Sequence, residues 1–318
     1  MRVLFLSVLT LNLFGCATAP TDLRSVSARV PIEKSWKPSA AEITKGVAAT
    51  RPECDAIENA VWAEAGTSGS ECIRFWKSAS TSMNWERAVI FFHGDVWDGT
   101  AVSPQYLQLT ESRMQELADH WSGRIAAPYI YIGRPGSHGS SGDHMQRRRK
   151  AESDILSSAL SALKQKLSIR EFALTGQSGG GHVVASLMVS RSDIVCAVPA
   201  SAVSSPRARW VIRGWRQDST GYADSYEPTE FLTKDGKHPS LRLLVVGSTE
   251  DRNTPWTSQL LLSGRARTLG IPTLELAGQG AGPSKHGMAD SGRRVAGWCL
   301  NGLSNEQIQE KARDGLSG

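Results

Sequence analysis

Short, nearly continuous apolar runs alternate along the chain with longer segments in which apolar residues recur every three or four positions. Runs of the first kind are typical of strands buried on both faces, and segments of the second kind are typical of amphipathic helices. The predicted strands are 88–92, 126–132, 171–175, 194–198, 241–247 and 272–277. Five helices are predicted: one after Pro104, one after residue 182, and three at 151–167, 256–269 and 289–300. This alternation predicts an α/β fold with a mostly parallel central sheet and helices on both faces.

The pattern also divides the chain into segments. Residues 51–302 hold the alternation and are predicted to form one domain, in which 56–64 is read as a short helix and 72–76 as an edge strand. Residues 17–50 are polar and punctuated by prolines, which favours a tether. An aromatic-rich stretch at 204–240 interrupts the alternation and is read as a small cap-like insert, and 303–318 is read as a frayed tail.

Composition changes this picture little. The chain has 318 residues, 40% hydrophobic and 21% charged, with a formal net charge of +5 at pH 7. These values describe an ordinary globular protein, and the modest positive charge is spread along the chain. No zinc finger or aromatic-basic motif accompanies it, so we expect no nucleic-acid partner.

The first residues predict export. An apolar run from Val3 to Phe14 follows Met1-Arg2 and is too short to span a bilayer as a mature helix. It ends in Leu13-Phe14-Gly15-Cys16, which resembles the lipobox of a bacterial lipoprotein signal, although Phe14 stands where a small residue is usual. We therefore expect a signal peptide at 1–16, a lipid anchor on Cys16 and a periplasm-facing lipoprotein. The alternative is an ordinary signal cleaved near residues 17–19.

Four further cysteines suit an oxidising compartment, because an even number remains once Cys16 is set aside. The pairing local in sequence is Cys54 with Cys72, which leaves Cys196 for Cys299. A buried free thiol at Cys196 is the open alternative to the second bridge.

The stretch Thr175-Gly176-Gln177-Ser178-Gly179-Gly180 places a serine between glycines, after a predicted strand and before a predicted helix. This Gly-x-Ser-x-Gly pattern in a strand-turn-helix setting is that of a nucleophile elbow, where the serine occupies a strained turn and its neighbours must be small. A glycine-rich loop capping a helix would give the same five letters. The setting favours a nucleophilic Ser178.

From about residue 85 to 300 the chain resembles the α/β-hydrolase superfamily. The resemblance rests on the elbow and on motifs at its two sides, namely His93-Gly94, Arg134-Pro135-Gly136 with the glycines after it, Asp251 and His286. The resemblance implies an α/β-hydrolase fold, a serine nucleophile and no metal or organic cofactor. A phosphate cradle at 134–142 is rejected because no Gly-Lys-Ser/Thr element accompanies it.

The resemblance also implies a catalytic triad in the chain order Ser, acid, His. His286 follows the last predicted strand, and Asp251 follows the strong strand 241–247 in a turn that ends in proline. Glu250 is a rival for the acid, and Asp224 in the insert is a more distant one. Serine needs such a base to become a good nucleophile, and the base needs an acid to orient it.

The oxyanion hole implied by the resemblance uses two backbone N–H groups, those of Gly179 and Asp95. An acidic side chain close to a developing negative charge is unfavourable. We therefore expect the Asp95 side chain to point away from the oxyanion.

Two other features have less specific interpretations. The basic run 147–150 is read as a solvated face, with an acidic substrate or lipid headgroups as the alternative ligand. The aromatic insert is expected to line an apolar substrate pocket or simply to pack.

Together these features predict an exported serine hydrolase that acts on a small carboxylic ester through an acyl-enzyme. One alternative is a serine peptidase of the prolyl-oligopeptidase type acting on short peptides, against which no propeller-like repeat precedes the domain. The other is a non-catalytic envelope binding protein on the same fold, because fold does not guarantee activity.

Overall fold

The computed structural model of the chain describes residues 28–80, 83–98 and 100–316. The predicted signal peptide at 1–16 and the predicted lipid anchor at Cys16 lie outside the described residues. Within the described ranges, no helix is both long and apolar enough to cross a membrane.

The strands agree in position with the apolar runs of the sequence. In chain order they are β1 (Val30–Pro31), β2 (Val47–Ala48), β3 (Ala60–Glu64), β4 (Ser70–Lys77), β5 (Arg87–Phe92), β6 (Trp97–Asp98), β7 (Ala101–Val102), β8 (Tyr129–Ile132), β9 (Glu171–Gln177), β10 (Ile194–Ala200), β11 (Arg242–Gly247) and β12 (Thr273–Ala277).

Helices separate most of these strands. They are α1 (Ala40–Lys45), α2 (Arg51–Asp55), α3 (Pro104–Leu107), α4 (Glu111–Ile125), α5 (Lys150–Leu167), α6 (Gly179–Ser190), α7 (Pro206–Ile212), α8 (Pro228–Phe231), α9 (Trp256–Thr268), α10 (Ala289–Leu300) and α11 (Asn305–Arg313), with short 3₁₀ turns at Gly66–Ser68 and His144–Gln146.

The central sheet has eight strands in the order β12-β11-β10-β9-β5-β8-β4-β3. The strands from β12 to β8 are mutually parallel, whereas β4 pairs antiparallel with β8 and β3 pairs antiparallel with β4. The predicted mostly parallel sheet is therefore confirmed. Since the strands β5 and β9 are neighbours in register, Phe92 lies beside Gly176 and the two loops that follow meet at one edge.

Helices cover both faces of this sheet, which explains why the inner positions of its central strands are mostly apolar. In β5, Ile90 and Phe92 pack on one side with residues of α5, α6 and α9. Val89 and Phe91 pack on the other side with residues of α4 and α10. Successive side chains of a strand point to opposite faces, so burial of both faces leaves no polar positions.

The interpretation of residues 17–50 as a tether is wrong for the described part, from residue 28. Trp36 and Ile43 are buried in the core. The carboxylate of Glu42 accepts hydrogen bonds from the Trp36 indole at 3.1 Å and from the Gly139 amide at 2.6 Å. The helix involved has six residues, too few to give a periodic signal.

Two further expectations at the ends of the domain are corrected. The predicted helix at 56–64 is instead a turn followed by β3, which makes β3 rather than β4 the outer strand of the sheet. The tail is not frayed, because α11 begins with a capping box at Ser304 and buries Ile308. Capping satisfies the first amides of a helix and stabilises its start.

Both expected disulfides are present. Cys54 of α2 is bonded to Cys72 of β4, and Cys196 of β10 is bonded to Cys299 of α10. Cys196 is therefore not a free thiol in this structure.

Candidate active site

Ser178 occupies the sharp turn between β9 and α6. Its backbone has φ 56° and ψ −114°, a conformation that costs a non-glycine residue roughly 1–3 kcal/mol. The turn is possible because Gly176 and Gly180 have no side chains. A Cβ on Gly180 would lie 2.1 Å from the carbonyl oxygen of Phe92, and one on Gly176 would lie 2.4 Å from the carbonyl oxygen of Gly180.

Asp251 and His286 are joined at the same edge of the sheet. The Asp251 Oδ2 atom lies 2.8 Å from His286 Nδ1, and the side chain of Asp251 is fully buried. The second oxygen, Oδ1, accepts from the amides of Asn253 and Thr254, both at 2.8 Å. A carboxylate held by two amides in this way has a fixed orientation, so it fixes the histidine ring in turn.

The rival acids do not contact this histidine. The Glu250 side chain is exposed, although it adjoins Asp251 in sequence. Asp224 forms an ion pair with Arg149 at 3.1 Å, and its side chain is 69% exposed. The geometry therefore favours Asp251 as the partner of His286.

The structure does not bring Ser178 and His286 into a hydrogen bond. His286 Nε2 is buried and has no hydrogen-bond partner among the described residues. Both residues nevertheless line the same cavity. Catalytic hydrogen bonds are often long in an enzyme without substrate and shorten when the substrate is bound.

Gln177, the residue before Ser178, ties the histidine loop to the elbow. Its side-chain amide donates to the carbonyl oxygen of His286 at 2.8 Å and accepts from the amide of Met288 at 2.9 Å. A two-sided clamp of this kind sets the position of the loop relative to the serine. Sequence reasoning missed this role, because Gln177 stands at a variable position of the pattern and its partners are more than a hundred residues away.

Asp95 lies beside Gly179, as the expected oxyanion hole requires, but its side chain does not point away. Its Oδ1 is so near Gly179 that a Cβ on that glycine would come within 2.1 Å of it. The carboxylate binds Arg134 at 3.0 Å, Arg147 at 3.2 Å and also Arg148. The prediction that the Asp95 side chain points away from Gly179 is therefore wrong, because three guanidinium groups neutralise its carboxylate in this position.

Burial by itself raises the pKa of the Asp95 carboxyl, but the charges of Arg148, Arg147 and Arg134 outweigh burial and hold that pKa well below its usual value. The carboxylate is therefore ionised at neutral pH. Its negative charge is shared with the arginines rather than directed at Gly179.

His93, in the expected His-Gly pair, is structural. Its Nε2 accepts a hydrogen bond from the amide of Arg134 at 3.1 Å, and its Nδ1 lies 2.6 Å from the carbonyl oxygen of Gly94. Burial, followed by the charge of Arg134, lowers the pKa of His93 well below its usual value. A neutral His93 thus connects the loop after β5 to the loop after β8.

Comparison with known proteins gives structural matches only, since no protein-family model and no curated protein matches the chain. Acylaminoacyl peptidase of Pyrococcus horikoshii superposes with a TM-score of 0.52 and 13% identity, over 78% of this chain and 43% of that one. Prolyl oligopeptidase B of Galerina marginata superposes with a TM-score of 0.53 and 16% identity, over 77% and 37%. Est1E of Butyrivibrio proteoclasticus, solved with ferulic acid bound, gives a TM-score of 0.50 and 12% identity, over 80% and 98%. The chain has the α/β-hydrolase fold.

The alignment spans less than half of the two peptidases and nearly all of the esterase. At these identities the likeness concerns the fold.

A cavity of about 750 Å³ opens above the elbow of this α/β-hydrolase fold. Its size is within the ordinary range for small-molecule sites. Ser178 and His286 line it, together with two indole rings, those of Trp97 and Trp215. The insert contributes Arg209 and Thr220 to the cavity lining as well as Trp215. The cavity is therefore more polar on this side than the apolar pocket that the sequence predicted.

The basic run at 147–150 is a solvated face only in its second half, where Arg149 is half-buried and Lys150 is exposed. Arg147 and Arg148 are buried, at 6% and 0% exposure, and both line the cavity. Arg148 binds Asp218 of the insert at 2.7 Å as well as Asp95. Their partners lie about 50 and 70 residues away in sequence, so no local pattern could have revealed the burial.

Proposed function

We propose that the chain is a serine hydrolase that cleaves a carboxylic ester through an acyl-enzyme. His286 takes the hydroxyl proton of Ser178 as the oxygen attacks the ester carbonyl, and returns that proton to the leaving alcohol. Asp251 keeps His286 in the tautomer with Nδ1–H and stabilises the imidazolium. The N–H groups of Gly179 and Asp95 hold the oxyanion. Water then hydrolyses the acyl-enzyme by the same steps, and Ser178 is regenerated.

One observation carries this proposal: Asp251 holds His286 through a 2.8 Å bond, in the cavity where Ser178 is presented on a strained turn. Any one of these three residues by itself could have a purely structural role. Their convergence on one cavity, in the fold that uses this arrangement, supports the hydrolase.

The test is active-site labelling. The protein without residues 1–16 is treated with a fluorophosphonate, the adduct is mapped by mass spectrometry, and turnover of p-nitrophenyl acetate is followed in parallel. We expect an adduct on Ser178 and its loss in Ser178→Ala and His286→Ala, because the serine then lacks its hydroxyl or its base.

His238→Ala is the matched control. His238 is a surface histidine paired with Glu171 at 3.3 Å and lies outside the cavity lining, so its loss should leave labelling unchanged. An unlabelled wild type that is well folded and turns over no ester would contradict the hydrolase and favour the non-catalytic binding protein.

A peptidase is the second candidate, because two of the structural neighbours are peptidases by name. Short chromogenic peptides with a free or blocked amino terminus distinguish the two. A kcat/KM for such peptides above that for aryl esters would replace the ester proposal while keeping Ser178 as nucleophile.

We also propose export and anchoring to the bacterial membrane through Cys16. The apolar run before Cys16 and the two disulfides support it, since disulfides persist in oxidising compartments. Cell fractionation tests this: the full chain should be found with membranes, and Cys16→Ser should release it. A wild type found in the cytoplasm would contradict export.

A further inference from the structure

Buried charges cluster around the cavity, and most of them form ion pairs. Besides Asp95, two buried acids serve the arginines: Glu152 binds Arg134 at 2.7 Å, and Asp218 binds Arg148 at 2.7 Å. These three carboxylates face four buried guanidinium groups, which belong to Arg134, Arg147, Arg148 and Arg209. The other buried carboxylate of the site, that of Asp251, is bonded to His286, so Arg209 is left without a carboxylate that binds it directly in the described part of the chain.

Arg209 is the guanidinium group of this cluster that neutral acceptors hold. Its Nε donates to the Asn253 carbonyl oxygen at 3.0 Å, its Nη2 to Asn253 Oδ1 at 2.5 Å and its Nη1 to Ser219 Oγ at 3.2 Å. All three acceptors are neutral, and Arg209 has no carboxylate partner among the described residues. Burial, followed by the charge of Arg148, lowers the pKa of Arg209 to about 10. The group is still a cation at neutral pH, and the charges of Asp218 and Asp95 favour that form without a direct bond to it.

Arg209 also has donors to spare. A guanidinium offers five N–H groups, and the three bonds above leave one on Nη1 and one on Nη2 without a partner in the described part of the chain. The residue is 5% exposed, and what it exposes lines the cavity that Ser178 and His286 also line. Two parallel N–H groups match the two oxygens of a carboxylate.

We propose that the substrate carries one carboxylate, which binds Arg209, in addition to the carbonyl that Ser178 attacks. The inference rests on the proposed hydrolase and names its substrate class. Arg148 lies beside Arg209, because both donate to Ser219 Oγ, at 2.9 Å and 3.2 Å, and the rings of Trp97 and Trp215 line the same cavity. An apolar linker between carbonyl and carboxylate suits that wall.

The carboxylate belongs either to the acyl part or to the leaving part of the ester, and two matched pairs of substrates distinguish these. For the acyl part, 4-nitrophenyl hydrogen adipate is compared with its methyl ester. For the leaving part, 4-acetoxybenzoate is compared with methyl 4-acetoxybenzoate. After subtraction of spontaneous hydrolysis, wild-type kcat/KM should favour the acid over the neutral ester by roughly 10- to 100-fold in one pair, as a charge-assisted hydrogen bond predicts.

Arg209→Gln should lower that preference by about tenfold or more, and Arg209→Lys should keep part of it, because lysine retains the charge but not the fork. Arg207→Gln is the matched control. Arg207 lies on the same helix, α7, but its side chain is 60% exposed and pairs with Glu230 at the surface. Its loss should leave the preference unchanged.

A wild-type preference near one in both pairs would overturn the inference. So would a strong preference that Arg209→Gln leaves intact, because the carboxylate would then be bound elsewhere. If circular dichroism shows that Arg209→Gln is unfolded, the substrate preferences of the wild type and of Arg209→Lys test the inference instead. Failure of the hydrolase itself is recognised separately, since Ser178 would then take no fluorophosphonate label, and both proposals would fall.

Discussion

Replacing Asp95 by asparagine removes a charge from the arginine cluster while keeping the size of the side chain and the backbone N–H. At an effective dielectric constant of about 20, unit charges at the 3.0 Å that separates Asp95 from Arg134 attract by about 5.5 kcal/mol. Desolvation offsets part of this. In Asp95→Asn, Arg134 keeps Glu152 and Arg148 keeps Asp218, but Arg147 loses its only carboxylate among the described residues. One newly unpaired buried cation costs about 3–5 kcal/mol.

The assay is urea unfolding followed by tryptophan fluorescence and by circular dichroism. Asp224→Asn is the control: it breaks one ion pair of a side chain that is 69% exposed, so its effect should be below about 1 kcal/mol. A loss for Asp95→Asn no larger than that of the control would refute the reasoning, because the cluster would then be solvated rather than buried.

The dependence on pH gives a second check. The pKa of Asp95 is lower in the folded protein than in the unfolded chain, so its contribution is fully present above about pH 3.9 and declines as pH falls toward the folded value. The difference between wild type and Asp95→Asn should therefore be constant from pH 8 to about 5 and shrink only below about 4.

Three further predictions concern stability. Gly180→Ala should lower the free energy of unfolding by roughly 3 kcal/mol or more, because the new Cβ would lie 2.1 Å from a backbone oxygen of β5. Gly264→Ala should instead raise it by about 1 kcal/mol, because a Cβ at this position of α9 meets open space and alanine favours the helix. The disulfide Cys196–Cys299 closes a loop of 103 residues, and Cys54–Cys72 closes one of 18. Chain entropy therefore predicts that removing Cys196–Cys299 lowers the free energy of unfolding by about 1.5 kcal/mol more than removing Cys54–Cys72. Equal urea midpoints for the two variants, each with both cysteines of one bridge replaced, would contradict this. Burial lowers the pKa of His93, His138 and His144 well below the normal value of 6.5, so these side chains are neutral in the folded protein. Below about pH 6.5 the free energy of unfolding should therefore fall by about 1.4 kcal/mol per pH unit for each of the three. A thermal midpoint that does not change between pH 6.5 and 5 would contradict this prediction.

Sequence patterns predicted the part of the fold that is buried on both faces. The strands β5 and β11 are apolar at nearly every position, and short runs of this kind between turn residues are typical of buried strands. The outer strand β3 was misread as a helix because its five residues, Ala60–Glu64, have only intermediate propensity and no full period. The core residues of the N-terminal segment were missed because Trp36 and Ile43 stand singly among polar neighbours.

Within the site, the resemblance to the α/β-hydrolase superfamily implied Asp251 and His286, and the structure joins these two residues. The arginines were out of reach for a different reason. Whether Arg148 is solvated or buried depends on Asp95 and Asp218, and nothing in the local sequence states that these three meet. Pairing between distant charges is a property of the folded chain alone.

The N-terminal segment has a practical consequence for recombinant work. A protein started at residue 51, where the sequence alone would set the boundary, lacks Glu42 and the strand β2. The loop after β8 would lose the acceptor of the Gly139 amide and the backbone pairing of Val47 with Gly142. That loop contains Arg134, which binds Asp95 beside Gly179. A shortened protein of this kind could test inactive while every residue of the proposed triad is intact, so activity screens should start from a version that keeps residue 28 onward.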